Sequence, residues 1–467
     1  MSEVRLGIDV ACRADHRASL ADERGEFIWS SWKFRTTTAD LERLWAKIPE
    51  DASVTVILEP TRNAWVPLSA WLQARGATVI LVPPEQSADL RDYYNKHTKT
   101  DRLDSRVLAR LPLLHPEGLR GIDNLGPAQS LRRAVRHRFS LVKRRSAASL
   151  RLDALVELLG PGWADSLGSA TASKTALVIL EKYADPRALK RLGRSRLAAL
   201  LIRSSAGLWR EDKADELLAM ASETLALWSA GGIEFTELAH DIASEVRVLR
   251  QLDDEIAAAD KRIAVLYDEA DPEGIVRSAP GLGPVLSAAI LGNAGDFNRF
   301  ANLAGVRSFT GFVPKIDQSG LVSGRKGITK AGDAGLRQAL YLAADHARHI
   351  DPTLAQRYHR LVIIEGKHHN SALCALSAVL ITRIAASWRK GELYQLRDED
   401  GDAITEAEGK VACADRYKID PKVRAARRRN TPAKVLKNRA GRGRKESAQK
   451  VAPTFDPPDG EASENAA

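Results

Sequence analysis

The chain is poor in cysteine. It has three in 467 residues, Cys12, Cys374 and Cys413, odd in number and far apart. That excludes a disulfide framework and a cysteine-based zinc cluster, and it fits a reducing compartment. Methionine is scarcer, at two, and aromatic residues make up only 6%. Long apolar runs are missing: the longest, Ala372 to Ile381, covers about ten residues with Ser377 inside it, half of what a membrane span needs. Met1 to Leu6 carries charge at once and has no apolar leader core. No sequence-reading module such as a helix-turn-helix is recognisable. These absences set the expectation of a soluble, cytoplasmic protein with no membrane contact.

What is present is globular. Hydrophobic residues make up 44%, which excludes wholesale disorder, and the length suits two to four domains. The formal net charge is +10, but it is not spread evenly. Residues 416–450 hold fourteen Lys and Arg against Asp420 and Glu446, a net +12, so the rest of the chain carries −2. The pattern describes a near-neutral body with a basic C-terminal arm.

Residues 1–125 read as an α/β unit. Val4 to Val10 is a buried strand, with Ala18 to Leu20 and Phe27 to Phe34 as hairpin partners across the turn Asp22-Glu23-Arg24-Gly25. Val54 to Leu58 and Val79 to Val82 are further short strands, the last closed by Pro83-Pro84. Leu41 to Ile48 and Trp65 to Arg75 have helical spacing, the second with Gly76 as its C-cap. Hairpin first and βαβ after predicts a mixed sheet with helices on its faces. Residues 126–270 are helical. There Ile242, Leu249, Ile256 and Ile263 fall seven apart and Leu252, Ala259 and Leu266 form a second series, with Glu245 as the one break. Three heptads predict lengthwise helix packing, either within the chain or as a dimerising coiled coil. Residues 271–395 are helical and richer in glycine, and 396–467 read as a charged, largely disordered tail.

Four acids stand out. Asp9 sits inside the run Leu6-Gly7-Ile8-Asp9-Val10, where an ionised carboxylate between Ile8 and Val10 needs a partner. Glu59 follows the strand Val54 to Leu58, where α/β sites gather. Asp101 and Asp104 are spaced i, i+3 and project from nearly one face if a helix starts at Asp101. Four carboxylates so placed can hold two hard divalent cations, Mg²⁺ or Mn²⁺, which clamp the attacking and leaving oxygens of a phosphodiester. Singly, each acid has a plainer role: a helix cap at Asp101, a surface pair with Arg102 or Arg106 at Asp104, a loop acid at Glu59.

The second half is glycine-rich and basic. Pro280-Gly281-Leu282-Gly283-Pro284 before the apolar stretch Leu286 to Leu291 reads as a helix–Gly-x-Gly–helix hairpin, either a phosphate site at Gly281 and Gly283 or an ordinary tight turn. Gly311-Phe312-Val313-Pro314, Ser319-Gly320 and Gly324 through Lys330 form a stretch with Arg325, Lys326 and Lys330 as phosphate donors, or a flexible surface loop. His346, His349, His368, His369 and Cys374 lack diagnostic metal spacing and read as polar helix faces.

Together Gly7-Ile8-Asp9, Glu59-Pro60-Thr61 and Lys99-Thr100-Asp101-Arg102-Leu103-Asp104 resemble the D-E-D-D signature of insertion-sequence transposases, whose N-terminal domain is RuvC-like with an RNase H fold. Ser105 replaces the alanine that ends their last block, and Thr61-Arg62 replaces their Thr-Gly pair. Ala279 to Gly283, Gly311 to Pro314, Ser319-Gly320, Gly327 to Lys330, Gly332 and Leu336-Arg337 resemble the C-terminal domain of the same family.

The resemblance implies a DNA recombinase in which Asp9, Glu59, Asp101 and Asp104 bind Mg²⁺. Ser319 would be the nucleophile, with Ser323 the next candidate, and the intermediate a covalent phosphoserine. It also implies donor and target DNA as substrates, guidance by a structured bridge RNA, and dimers assembling into a tetramer at the nucleoid. The alternative is a junction nuclease using the same acids with water as nucleophile. Sugar kinases and ATPases that also begin with Gly-Ile-Asp need further glycine-rich phosphate loops, which residues 1–125 lack.

Overall fold

The structure, a computed structural model, describes residues 2–82, 101–114, 119, 121, 129–160, 162–167, 173–319 and 322–429, with backbone alone at 101–103, 316–319, 322–326, 424 and 427–429. Pro83-Pro84, Lys99, Thr100, Gly320 and the tail from 430 lie outside the described residues.

The N-terminal unit is a mixed sheet. Its strands are β1 (Glu3–Asp9), β2 (His16–Ala21), β3 (Phe27–Phe34), β4 (Ser53–Leu58) and β5 (Thr78–Leu81), in the order β3-β2-β1-β4-β5. The first three run antiparallel, and β4 and β5 run parallel to β1. Alternation along β1 and β4 sorts the two faces. Val4, Leu6, Ile8, Val54, Val56 and Leu58 join a core with α1 (Thr38–Trp45) and α2 (Trp65–Gln73). Ile57 and Ile80 face the other way, onto Val107, Leu108 and Leu111 of α3 (Asp101–Leu114). The β2–β3 turn is where the sequence places it: Gly25 takes φ +82° and its amide donates to the Asp22 carbonyl.

The remainder is mainly helical, and the heptad series resolves within the chain. Helices α4 (Ser130–Glu157) and α10 (Phe235–Ala270) pack along each other. Arg138 pairs with Asp260, Arg145 with Asp253 and Arg151 with Glu245, so the number falls on α10 as it rises on α4 and the pair is antiparallel. Glu245, the break in the heptads, is the acid of the third rung. Between these helices in the chain come α5 (Gly162–Leu167), α6 (Lys174–Tyr183), α7 (Pro186–Leu192), α8 (Arg194–Ser204) and α9 (Glu211–Leu227), which share one core with the C-terminal part of α4 and the N-terminal part of α10.

The C-terminal core does not begin at 271. It takes Leu131, Ala134 and Val135 from α4 and Ile263 and Tyr267 from α10. Its other helices are α11 (Pro284–Ala294), α12 (Leu303–Thr310), α13 (Ala334–Ala347), α14 (Pro352–His359) and α15 (His369–Lys390). By length and composition α15 is apolar enough to cross a membrane, unlike the ten-residue run visible in the sequence. Its apolar face is core: Ala372, Leu373, Leu376, Leu380, Ile381 and Ile384 are all buried.

Two further expectations change. The glycine-rich stretch is a β-hairpin, β6 (Pro314–Ser319) against β7 (Val322–Ile328), not an open loop. Residues 396–429 are folded rather than disordered: α16 (Glu406–Arg416) starts with a capping box between Thr405 and Glu408, and α17 (Pro421–Arg429) follows. The apolar pattern misses this because polar contacts fasten the segment. Arg416 and the Tyr417 hydroxyl both reach the Glu399 carboxylate, and Gly409 lets α16 touch the Ile350 carbonyl, where a Cβ would stand 2.2 Å away. Cys413 is buried, and burial with Asp351 and Glu399 pushes its thiol up to about 12.

Candidate active site

The parallel register of β1 and β4 does most of the placing. Ile8 stands opposite Leu58, so Asp9 and Glu59 are the next residues on adjacent strands at the same sheet edge. Both are partly exposed, as is Asp104. Helix α3 starts at Asp101 and crosses β1 at Gly7, where a Cβ would lie 2.3 Å from the Ser105 carbonyl and from the Ala109 amide nitrogen. Only glycine permits that approach, and it puts the first turn of α3 beside the end of β1. The Asp101 side chain lies outside the described residues. Among the described residues no group of three or more His, Cys, Asp or Glu is assembled for a metal. As donors Asp9, Glu59 and Asp104 are hard oxygens partly open to water, the kind that a hard divalent cation takes.

Three neighbours have roles that the sequence does not announce. Ser105, where the related block has alanine, is fully buried and within hydrogen-bond distance of Ser19, 2.9 Å between hydroxyls, tying α3 to β2. His16 is buried beside the segment that follows Asp9. Its Nδ1 accepts from the Ala11 amide at 3.1 Å, and Nε2 contacts the Thr36 hydroxyl at 2.8 Å. Burial pushes its pKa below the ordinary value, with Asp15 opposing, which suits the neutral ring that this acceptor role needs. Arg62, in place of the related glycine, holds φ +49°. A left-handed backbone costs a non-glycine residue about 1–2 kcal/mol. Arg62→Gly is therefore expected to stabilise the N-terminal unit by roughly 0.5–1 kcal/mol after the entropy of a freer unfolded chain, read as a higher denaturant midpoint. A lower midpoint would mean that the guanidinium makes a contact worth more than the strain.

The second half supplies the hairpin. Ser319 is the last residue of β6, opposite Val322, and Ser323 stands one rung on, opposite Gln318. Arg325 and Lys326 pair with Ile316 and Lys315 along the ladder. The side chains of Ser319, Ser323, Arg325 and Lys326 lie outside the described residues. At the foot of the hairpin Lys330 is exposed at φ +57°, its amide donating to the Gly311 carbonyl at 3.1 Å. Gly332 is forced by packing, since a Cβ there would meet the Phe309 carbonyl at 2.2 Å. Asp333 then caps α13 and accepts from Arg136 of α4 at 2.5 Å, anchoring the hairpin to the long helix.

Of the two glycines in the Gly-x-Gly turn, Gly281 has φ +74° and abuts His346 and Ala347, so its glycine serves helix packing. Gly283 is open and forms the N-cap of α11 without a side-chain cap. The expected preceding helix is absent: 275–278 is a turn held by Asp271, which accepts from the Ile275 and Val276 amides. Two of the histidines have structural roles. His368 caps α15, and buried His369 meets the Tyr358 hydroxyl at 2.7 Å.

Comparison with known proteins matches two segments of the chain. Residues 6–161 match a family described as Transposase, of the DEDD IS110 type, and residues 273–359 match one described as Transposase IS116/IS110/IS902 family. The chain is 28% identical over 400 residues to the 44.8 kDa protein of insertion element IS116 from Streptomyces clavuligerus, covering 83% of this chain and 95% of that one. It is 26% identical over 408 residues to the 42 kDa protein of insertion element IS900 from Mycobacterium paratuberculosis, covering 84% and 97%. Over 341 residues it is 26% identical to the mini-circle putative transposase for IS117 of Streptomyces coelicolor, covering 68% and 78%. With both halves matched in order, and near full-length relatives encoded by insertion elements, the chain belongs to the IS110 family of insertion-sequence transposases.

Proposed function

We propose that this transposase cuts and rejoins DNA through a composite site made from the acids of the RNase H-like N-terminal unit and the serine of the β6–β7 hairpin. The observation that carries it is the Ile8–Leu58 register, which puts Asp9 and Glu59 side by side with the start of α3 brought over them at Gly7. Asp9, Glu59, Asp101 and Asp104 would hold Mg²⁺, or Mn²⁺ in its place. Bound there, the ion would supply Lewis-acid stabilisation of charge on the scissile phosphate.

Ser319 acts as nucleophile. Its hydroxyl passes a proton to a carboxylate of the cluster, because an unassisted hydroxyl is a weak nucleophile. The Oγ–P bond forms as the bond from phosphorus to the 3′ oxygen breaks, and that oxygen takes up a proton from water. The phosphodiester energy stays in the phosphoserine, so reversal on a new 3′-hydroxyl rejoins strands without ATP. Arg325, Lys326, Lys330 and the helix N-terminus at Gly283 hold the backbone phosphates. Donor and target DNA are the substrates, at the nucleoid in the cytoplasm. Guidance by a structured bridge RNA, and dimers assembling into a tetramer, follow from the family resemblance.

Mixing the protein with cleavable DNA and Mg²⁺ and running a denaturing gel tests this. A protein–DNA adduct that survives denaturation, maps to Ser319 by mass spectrometry and disappears in Ser319→Ala is the expected result. Normal cleavage by Ser319→Ala without an adduct would assign the nucleophile to water, and an adduct that persists in Ser319→Ala and maps to Ser323 would assign it there. Sequencing RNA that co-purifies from cells carrying the flanking DNA tests the guide.

A further inference from the structure

Helix α4 carries eight Lys and Arg against two acids, Asp153 and Glu157. They are sorted by face. Arg138 and Arg145 turn inward and are neutralised by Asp260 and Asp253 of α10. Arg133, Arg136, His137, Lys143, Arg144 and Arg151 are all exposed. At about 100° per residue they fall within a sector of roughly 120°, with small Ser140 and Ala147 at its centre. From Arg133 to Arg151 the row spans about 27 Å.

Neither acid of α4 lies in that sector. Acids from other elements meet it at two points among the described residues, Asp333 at Arg136 and Glu245 at Arg151. Arg133, Lys143 and Arg144 have no ion pair among the described residues. Like charges three and four apart on a helix destabilise it, so a row kept free of acids over five turns calls for an external polyanion. The row is also continuous with the proposed site. Arg136 grips Asp333, three residues beyond Lys330 at the foot of the serine hairpin.

We propose that this outer face of α4 is a docking surface for the phosphate backbone of duplex DNA flanking the cleavage point. The inference rests on DNA being the substrate. It adds that the DNA leaves the hairpin along α4, held without regard to sequence. Double-stranded DNA is favoured as occupant because cations spread along one helix face over about 27 Å can meet the phosphates of a duplex over several base pairs.

The test uses the full chain and a short random-sequence DNA duplex, with affinity measured across salt concentrations. The triple variant Arg133→Gln/Lys143→Gln/Arg144→Gln removes three exposed charges and is expected to keep its thermal midpoint. Affinity should fall roughly tenfold or more near 0.1 M salt, and the slope of log K against log salt should shrink by about 0.9 for each phosphate left without its cation. The charge-keeping variant Arg133→Lys/Arg144→Lys should retain the slope. Lys182→Gln/Lys190→Gln/Arg191→Gln, removing equal charge from α6 and α7, should leave affinity within about twofold. Equal losses in both triple variants would overturn the proposal. So would a loss confined to an RNA duplex, or a change in oligomeric state with DNA affinity intact. Adduct formation at Ser319 on saturating DNA reads the chemistry separately, so a failed serine mechanism would not be mistaken for a failed rail.

Discussion

Asp9→Asn is expected to slow strand cleavage by a factor on the order of 10³, the scale of losing one preorganised electrostatic partner at a reacting phosphate. The substitution keeps the shape of the side chain and removes only its charge. Asp9 closes a strand whose neighbours on both sides are fixed by register, Arg17 on β2 and the end of β4. The fold therefore has little reason to respond. Thermal midpoint and DNA affinity should stay close to wild type while the phosphoserine adduct is lost. Cleavage surviving at the wild-type rate would remove Asp9 from the site. Loss of DNA binding in step with cleavage would place it in substrate capture instead.

Gly7→Ala is the second large effect, and it acts through backbone. The added methyl would stand 2.3 Å from the Ser105 carbonyl oxygen and from the Ala109 nitrogen, both main-chain atoms that no rotamer change can move. Either α3 lifts from the sheet or β1 bends. Overpacking of this kind costs about 1–3 kcal/mol. Lifting α3 also carries Asp101 and Asp104 away from Asp9 and Glu59, and a displacement of about 1 Å at a reacting centre costs on the order of 10²-fold in rate. Denaturant unfolding and cleavage rate should both report it. Adding Ser105→Gly, which removes the Ser19 hydrogen bond but frees space under the helix, should not restore activity, because the clash is with the carbonyl and not the side chain. Wild-type cleavage by Gly7→Ala would show that α3 need not sit so close to β1.

The N-terminal unit is legible in the sequence because its signals are local. Apolar alternation in β1 and β4, the turn at Gly25 and the C-cap region at Gly76 each depend on a few neighbouring residues. Placing the acids needs only strand ends, and Gly7-Ile8-Asp9 already contains the glycine on which α3 rests. Less legible is whatever depends on distant partners. Glu245 looks like a flaw in a heptad until Arg151, 94 residues away, stands beside it. The serine stretch reads as a loop because its residues, Lys315 through Lys330, alternate in no apolar pattern, and the pairing of β6 with β7 leaves little trace in composition. Residues 396–429 read as unfolded because their anchors are hydrogen bonds to Glu399 and one close backbone approach at Gly409, which hydropathy does not register. The outer face of α4 is hidden by its inner one, since both are rich in arginine and what tells them apart is exposure, Arg138 and Arg145 being half-buried against α10 where the outer row is exposed.

The way α4 is shared also bears on how such genes can be reshuffled. Leu131, Ala134 and Val135 complete the C-terminal core, although they lie more than a hundred residues ahead of the segment that family comparison assigns to that half. An exchange that moved residues 273–359 into a foreign chain would leave a vacant seam where these three side chains belong. The serine-bearing half can therefore be inherited intact only together with the opening turns of α4, and natural hybrids of such elements should break before residue 130 rather than between α10 and α11.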